Sequence, residues 1–545
     1  MNTPHQINPS PCEFLLNQPT HRERVFVSSG TLRATVTFAL LAIPWLNPFA
    51  PGPSPAVVPW LVALMATACL LLVNYRTAFS ADLDAPHAAT IEPVPAWAFP
   101  VAAAWLFAGL LSSLMGVLQY FGAAAPLDPW VNQTMVGEAF ANLRQRNQFA
   151  SLTNIALAAL VWMAFTAKAG ARTQARQIML LAAAACLAVG NVASSSRTGL
   201  VQLLLLCMAF WMWGGWRQQL VRRILVTALM VYGLAMLVLP WLGGFDLSEH
   251  GIFARLRAGD GVCAGRLTLW SNVLHLIAQK PWLGWGWGEL DYAHYITLYD
   301  GPRFCEILDN AHNLPLQLAV ELGVPAALLL CGGFAVWVVR QRPWRERHAT
   351  RQLAWAVLGI VLLHSMLEYP LWYAPFQVAV GLCLGLLWLT PGAGNRLSSK
   401  KYLSNRPWAQ VIRGVIAMLL IAIAEYGFWD YHRISQIYLA PESRDAAYRE
   451  DTLAKINASW LFSDQVRFAE LILTPLTPAN AEWTFRTASA LLHYSPEPRV
   501  IEKVIESAVL TGRDDEAIAH LARFKAAFAQ AHARWAQAGG LAPLR

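Results

Sequence analysis

The sequence predicts an all-α polytopic membrane protein of about 11 transmembrane helices, with a large loop outside the bilayer and a helical C-terminal domain. Three observations carry this. First, 56% of the 545 residues are hydrophobic and only 14% are charged, with mean hydropathy +0.38. A soluble domain carries roughly a quarter charged residues. Second, apolar runs near the roughly 20 residues that cross a bilayer recur along the chain. Third, Lys and Arg fall in short clusters between those runs, as the positive-inside bias requires. The net charge of +8 is therefore spread over loops. It forms no nucleic-acid footprint, and no nucleic-acid partner is expected.

Residues 1–30 are polar and contain Pro4, Pro9, Pro11 and Pro19. They read as a cytoplasmic tail, since no short apolar core with a cleavage site is present. Spans are expected near 31–48, 56–74, 96–122, 148–167, 176–193, 199–216 and 222–242, filling 31–242 with helices one to seven. The run at 31–48 is short and contains Pro44, and the runs 176–193 and 199–216 are separated by a very short turn. Residues 243–312 form the large loop. Spans eight to eleven follow near 313–339, 352–368, 373–390 and 409–427. Inner loops then hold Arg217, Arg222, Arg223, Arg340, Arg342, Arg345, Arg347 and Arg351, while the outer turns at 49–55 and 369–372 hold no Lys or Arg. The odd number of spans places the large loop and residues 428–545 outside. In that last region 500–511 and 514–530 read as a helical hairpin turning at Gly512.

Five cysteines, Cys69, Cys186, Cys207, Cys331 and Cys383, fall in expected spans, and Cys12 in the tail. Cys263 and Cys305 are the two in the large loop; they stand either as free thiols or as a bridge closing it. No CxxC spacing points to metal.

The outer arginines are the first chemical candidates. Arg197 lies in SSSRTG, Arg144 and Arg146 lie in NLRQRNQ, and Arg266 opens GRLTLW. Arginine at a membrane rim snorkels to lipid or binds an anion. Its bidentate, always-charged fork suits phosphate, so several facing outward suit a lipid diphosphate. His312, in DNAHNLPLQL, is next. A lone histidine at a helix start is commonly a cap or packing residue. Here Asp309 and Asn310 are expected to orient the ring, and an imidazole, with an ordinary pKa near 6.5, suits removing a hydroxyl proton. Trp282, Trp285, Trp287, Tyr292, Tyr295 and Tyr299 crowd the loop, as Tyr369, Trp372 and Tyr373 crowd the EYPLWY turn. They read as an interfacial aromatic belt or as surfaces that stack on sugars. Walker A, HExxH and GxSxG patterns are missing. Asp82 and Asp84 form a DxD pair in an expected inner loop, away from these groups.

NLRQRNQFASL, SSSRTGL, GRLTLW, PWLGWGWG, DNAHNLPLQLAVELG and LEYPLWYAPF together resemble the O-antigen ligase/polymerase superfamily, and within it the bacterial protein O-oligosaccharyltransferases, or protein glycosylation ligases. The resemblance implies an inverting, metal-independent GT-C-type glycosyltransferase of the bacterial inner membrane, needing no cofactor. It implies an undecaprenyl-diphosphate-linked oligosaccharide donor, an acceptor protein such as a pilin, and a periplasmic active site. Carried over residue by residue, it makes His312 the base, gives Arg197 and Arg266 the diphosphate, and marks Gln145 or Gln148 and Tyr369 as further functional positions. Arg144 and Arg146 stay beside them as binding candidates. O-antigen ligase or polymerase activity, and transport of a lipid-linked glycan, are the competing expectations.

Overall fold

The computed structural model describes residues 21–73, 95, 97–166, 173–246, 263–390 and 407–540. Cys12, Asp82, Asp84 and the N-terminal prolines lie outside the described residues. Among the described residues the fold is all-helical.

The membrane part begins with α1 (His21–Leu46), α2 (Val57–Val73), α3 (Ala98–Tyr120), α4 (Arg146–Thr166), α5 (Gln174–Ala193), α6 (Arg197–Met212) and α7 (Gln219–Leu242). Pro44 does not interrupt the run: it sits in the last turn of α1, where the helix is ending anyway. After the large loop come α8 (Arg266–Gln279), α9 (Leu290–Ile296) and α10 (Leu314–Leu322). Then α11 (Val324–Ala327), a π turn (Leu328–Gly332) and α12 (Gly333–Gln341) run on as one length. The membrane part closes with α13 (Ala349–Ser365), α14 (Ala374–Leu389) and α15 (Pro407–Ser435). Among the described residues six helical lengths are long and apolar enough to cross a membrane: Ala98–Tyr120, Arg146–Thr166, Gln174–Ala193, Gln219–Leu242, Val324–Arg345 and Trp408–Tyr438. Four more, Gly30–Leu46, Val57–Val73, Arg197–Met212 and Ala374–Leu389, are apolar but shorter.

Helix α4 is the axis of the bundle. It packs against α3, α5, α6 and α13 and is buried from Gln148 to Val161 without a break. Small residues permit this closeness. A Cβ at Gly109 of α3 would lie 2.3 Å from the Ala156 Cβ of α4, so the two backbones meet directly, as interfaces between membrane helices favour.

The interval expected to hold one span, 313–339, is divided at Gly323, which takes φ +88. Helix α10, before the break, packs against α8 rather than into the bundle; Ala319 and Val320 join Leu269, Val273 and Leu276 in the core of the large loop. That loop is closed by a Cys263–Cys305 disulfide with a Cα–Cα distance of 5.3 Å. Its PWLGWGWG turn lies backbone to backbone on the α10–α11 junction. Trp285 N–H donates to Val320 O (2.8 Å), Gly286 N–H to Glu321 O (3.0 Å) and Val324 N–H to Pro281 O (2.8 Å). A Cβ on Gly323 would sit 2.2 Å from Trp282 O, and one on Gly284 2.4 Å from Glu321 O.

The C-terminal domain holds α16 (Thr452–Ile456), α17 (Ser463–Leu473), α18 (Ala481–Leu491), α19 (Pro498–Leu510), α20 (Asp514–Ala527) and α21 (Ala529–Gln537). The expected hairpin is α19–α20, turning at Gly512 with φ +70. Val500, Ile501, Val504, Ile505 and Ala508 lie on one face of α19 at helical spacing and are buried. Tyr295 of α9 enters the same core, and its hydroxyl hydrogen-bonds His520 Nδ1 at 2.9 Å, so this domain seats on the large loop.

Candidate active site

His312 stands just ahead of α10. Asn313 caps that helix, accepting from Leu316 N–H (3.2 Å), and its amide donates to Met366 O at the end of α13 (3.1 Å). The cap thus ties the loop to the bundle beside the imidazole. The His312 backbone takes φ +50, which is uncommon for a residue with a Cβ. Its N–H donates to Asn310 Oδ1 (2.8 Å). Arg144 (φ +58) and Ser195 (φ +52) share this conformation; each lies in one of the motif blocks that carry the family resemblance. Such local strain concentrates at functional sites.

The ring is oriented by Glu368, not by Asp309 or Asn310 as expected. His312 Nδ1 lies 2.7 Å from Glu368 Oε2. Arg266 Nη2 pairs with the other carboxylate oxygen, and Asn147 Nδ2 donates to that same oxygen at 3.1 Å. The Glu368 side chain is 9% exposed, against 24% for His312 and 29% for Arg266. The carboxylate is the buried anchor, while its two partners face outward. Burial alone would push the Glu368 carboxyl up. The His312 hydrogen bond and the Arg266 charge outweigh it and hold the group below its usual range. Ionised Glu368 accepts from Nδ1–H, which leaves Nε2 as the proton acceptor. Asp309 is pushed up by burial, an effect the nearby His312 charge partly offsets.

Asn147 extends the chain of contacts. Its Oδ1 accepts from Ser196 Oγ (2.6 Å), and that hydroxyl accepts from Gly199 N–H (3.0 Å), capping α6. Arg197 is the exposed first residue of the capped helix. The SSSRTG turn, the RQRNQ block, α8 and the EYPLWY turn therefore meet through three polar side chains, Asn147, Ser196 and Glu368. Tyr369 stands edge-on to His312, with ring centroids 5.0 Å apart. It stacks on Tyr373 (5.9 Å), to which Gln148 hydrogen-bonds. Gln145 accepts from the Gln148 N–H (2.7 Å) at the start of α4. Burial raises the Tyr369 and Tyr373 hydroxyls.

Two expected anion ligands are engaged elsewhere. Arg144 donates to the Pro48 and Asn142 carbonyls, and burial lowers its pKa. Arg146 pairs with Glu138. The aromatics also divide. Trp285 is consumed inside the loop, donating to Leu276 O (3.0 Å) with Lys280 Nζ over its ring at 3.9 Å. Trp287, 64% exposed, lies parallel to Trp372 with centroids 6.1 Å apart. One turn below Glu368, His364 Nδ1 meets Ser151 Oγ (2.9 Å). Gln202 donates to that hydroxyl (2.8 Å) and to Ile360 O (3.2 Å). This polar cluster closes on a main-chain carbonyl inside the bundle.

Glu368, Asn147 and Ser196 carry the geometry, yet reading the sequence missed their roles. The available signal was an acid in an outer turn otherwise free of charge, a Ser placed to cap a helix, and an Asn in the first turn of another. Among the described residues no group of three or more His, Cys, Asp or Glu could hold a metal ion.

Residues 139–164 match a family model described as protein glycosylation ligase, 182–331 one described as O-antigen ligase, and 352–541 one described as virulence factor membrane-bound polymerase, C-terminal. A general O-oligosaccharyltransferase of Acinetobacter baylyi is 26% identical over 310 residues, covering 53% of this chain and 50% of that protein. A ComP-specific O-oligosaccharyltransferase of the same organism is 23% identical over 254 residues, covering 46% of this chain and 44% of its own. The chain spans about half the length of the relatives it matches. No solved structure matches it. His312, Arg197 and Arg266 fall in the second matched segment and Glu368 in the third; three segments of the chain are thus similar to O-antigen ligase, protein glycosylation ligase and membrane-bound polymerase families.

Proposed function

We propose that this chain is a membrane glycosyltransferase that moves an oligosaccharide from undecaprenyl diphosphate to a Ser or Thr hydroxyl of a protein such as a pilin. The reading takes about eleven spans in a GT-C-type arrangement, with His312 and the C-terminal domain on the periplasmic side of a bacterial inner membrane. The observation that carries it is the Glu368 carboxylate holding His312 and Arg266 at one solvent-reachable spot. His312 Nε2 takes the hydroxyl proton while the oxygen attacks the anomeric carbon. The carbon–oxygen bond to the diphosphate breaks, its electron pair leaves with the lipid diphosphate, and the configuration inverts. Arg266 and Arg197 stabilise the departing charge. Glu368 holds the ring and stabilises the imidazolium. No metal or nucleotide enters this reading.

Reconstituted chain with a polyprenyl-diphosphate-linked glycan and candidate acceptor proteins tests it. Glycoprotein is the expected product, and His312→Ala should accumulate normally yet lose about 10³-fold in rate. Normal rates in that variant would remove the base. Glycan joined only to a lipid A core, or only to more glycan, would assign the ligase or polymerase reaction instead. Lipid-linked glycan moved across the membrane without any product would assign transport.

A further inference from the structure

The far end of the bundle holds a cavity that the transfer reaction does not use. It measures about 190 Å³ and lies between α6, α12 and α13. Leu205, Leu206, Ala209, Val338, Gly359 and Ile360 are among its apolar walls. On α6 its lining runs from Leu205 to Trp213, roughly 12 Å of helix at 1.5 Å per residue. For scale, an apolar cavity of about 150 Å³ accepts a benzene molecule. Helix α12 meets the bundle here through aromatic rings, Trp337 to Trp355 at 5.3 Å. Only 6% of the apolar window of Val324–Arg345 is buried, so the wall it forms faces lipid. The Trp355 Nε1–H, in that lining, is buried and has no hydrogen-bond partner.

The mouth differs in chemistry from the walls. Trp213 Nε1 donates to Pro343 O (2.7 Å) across it, and Trp344 lies on its rim. Arg217, Arg340, Arg342, Arg345 and Arg347 surround these residues in the chain, are all exposed, and form no ion pair among the described residues. Glu346, the acid among them, is committed to Arg351. Arg342 takes φ +50 to turn the chain from α12 into Pro343.

Depth selects the occupant. Helix α6 starts at Arg197 beside the active site and ends at Met212 by this mouth; α13 starts near the mouth and ends three residues before Glu368. A donor whose diphosphate sits by His312 enters from the other face. We propose that the cavity is a binding site for an anionic glycerophospholipid of the leaflet opposite the active site. One acyl chain lies between α6 and α13, an ester carbonyl accepts from Trp355 Nε1–H, and the phosphate meets the arginines, which attract anionic head groups.

Gly359 supplies a clean probe, because a Cβ there meets only Leu205 Cδ2, at 3.8 Å. Gly359→Leu should fill the cavity without strain. The full chain, purified in mild detergent and stripped of lipid, is melted with added phosphatidylglycerol or phosphatidylcholine. Phosphatidylglycerol should raise the wild-type melting temperature by about 3 °C more than phosphatidylcholine. Gly359→Leu should melt no lower than wild type without lipid and lose that difference. Arg342→Gln with Arg345→Gln should respond to both lipids alike. Equal wild-type responses to the two lipids would overturn the proposal, as would a full preference surviving in either variant. If Gly359→Leu does not accumulate, the arginine pair alone decides it. Wild type should also retain phosphatidylglycerol through purification from mixed-lipid membranes, read by mass spectrometry of the extract; retention of polyprenyl lipid instead would reassign the cavity to the donor.

Discussion

A carboxylate–arginine pair stands at each end of helix α13, and the two pairs differ in one respect. At the start, Glu346 and Arg351 are 6% and 5% exposed, and their contacts are complete. Arg351 donates to Glu346 (2.6 Å), Leu387 O (2.7 Å), Thr390 O (3.0 Å) and Gln341 (3.3 Å). Glu346 also accepts from the N–H groups of Arg347 and His348. At the other end Glu368 is as deeply set, but Arg266 and His312 keep faces open to solvent. A closed pair can only hold the fold. An open one has donors left over for a ligand, and that asymmetry separates scaffold from site on a single helix.

The comparison is sharpened by breaking each pair in turn. Arg351→Ala strands a buried carboxylate and should cost about 3–5 kcal/mol, seen as a large fall in accumulated protein and melting temperature, with the activity of what folds unchanged. A mild effect there would blur the distinction. Glu368→Gln should fold near-normally, because Asn147 and Arg266 can still reach its oxygen, yet kcat should fall about 10²-fold as His312 loses its orienting carboxylate. A change in KM alone would make Glu368 a binding residue. Because the Glu368 carboxyl is held below its ordinary value, its contribution is present above the usual carboxylate range. It is lost as pH falls through its folded-state pKa, and the glutamine variant should lack that acid limb. Arg197→Lys keeps the charge and loses the fork, and should raise the donor KM about 10-fold; full activity would mean that charge alone suffices.

The smallest effect is expected at the seat of the C-terminal domain. Burial and then the Glu289 and Asp309 charges raise Asp291 to about 7. A carboxyl raised on folding binds protons more readily in the fold, so its effect on stability becomes unfavourable as pH rises from about 4 to about 7. Melting temperature should therefore climb slightly from pH 8 to pH 5.5, and Asp291→Asn should flatten that slope and melt higher at pH 8.

How far the sequence alone reaches can be judged from the same elements. The amphipathic face of α19 and the glycine turn at Gly512 were legible, because burial on one side leaves a period of 3.6. Long apolar helices were legible from composition. The division at Gly323 was not, since α10 is as apolar as a span and only its contact with α8 removes it from the bundle. His312, Arg266 and Arg197 stood out by residue type. Glu368 did not, because its role is made by partners 56 and 102 residues away in the chain, a separation that no local pattern encodes. The Cys263–Cys305 bridge, left open by spacing, depended on the fold of the loop between the two residues.

The seam between the PWLGWGWG turn and the start of α11 is stitched by peptide groups, with Gly284 and Gly323 as the positions where a side chain has no room. Peptide groups are the same in every residue. The turn can thus exchange its outward-facing rings, Trp287 among them, while its attachment stays intact. If the proposed glycan transfer holds, such a join lets one scaffold be refitted for differently shaped sugars by surface substitutions alone.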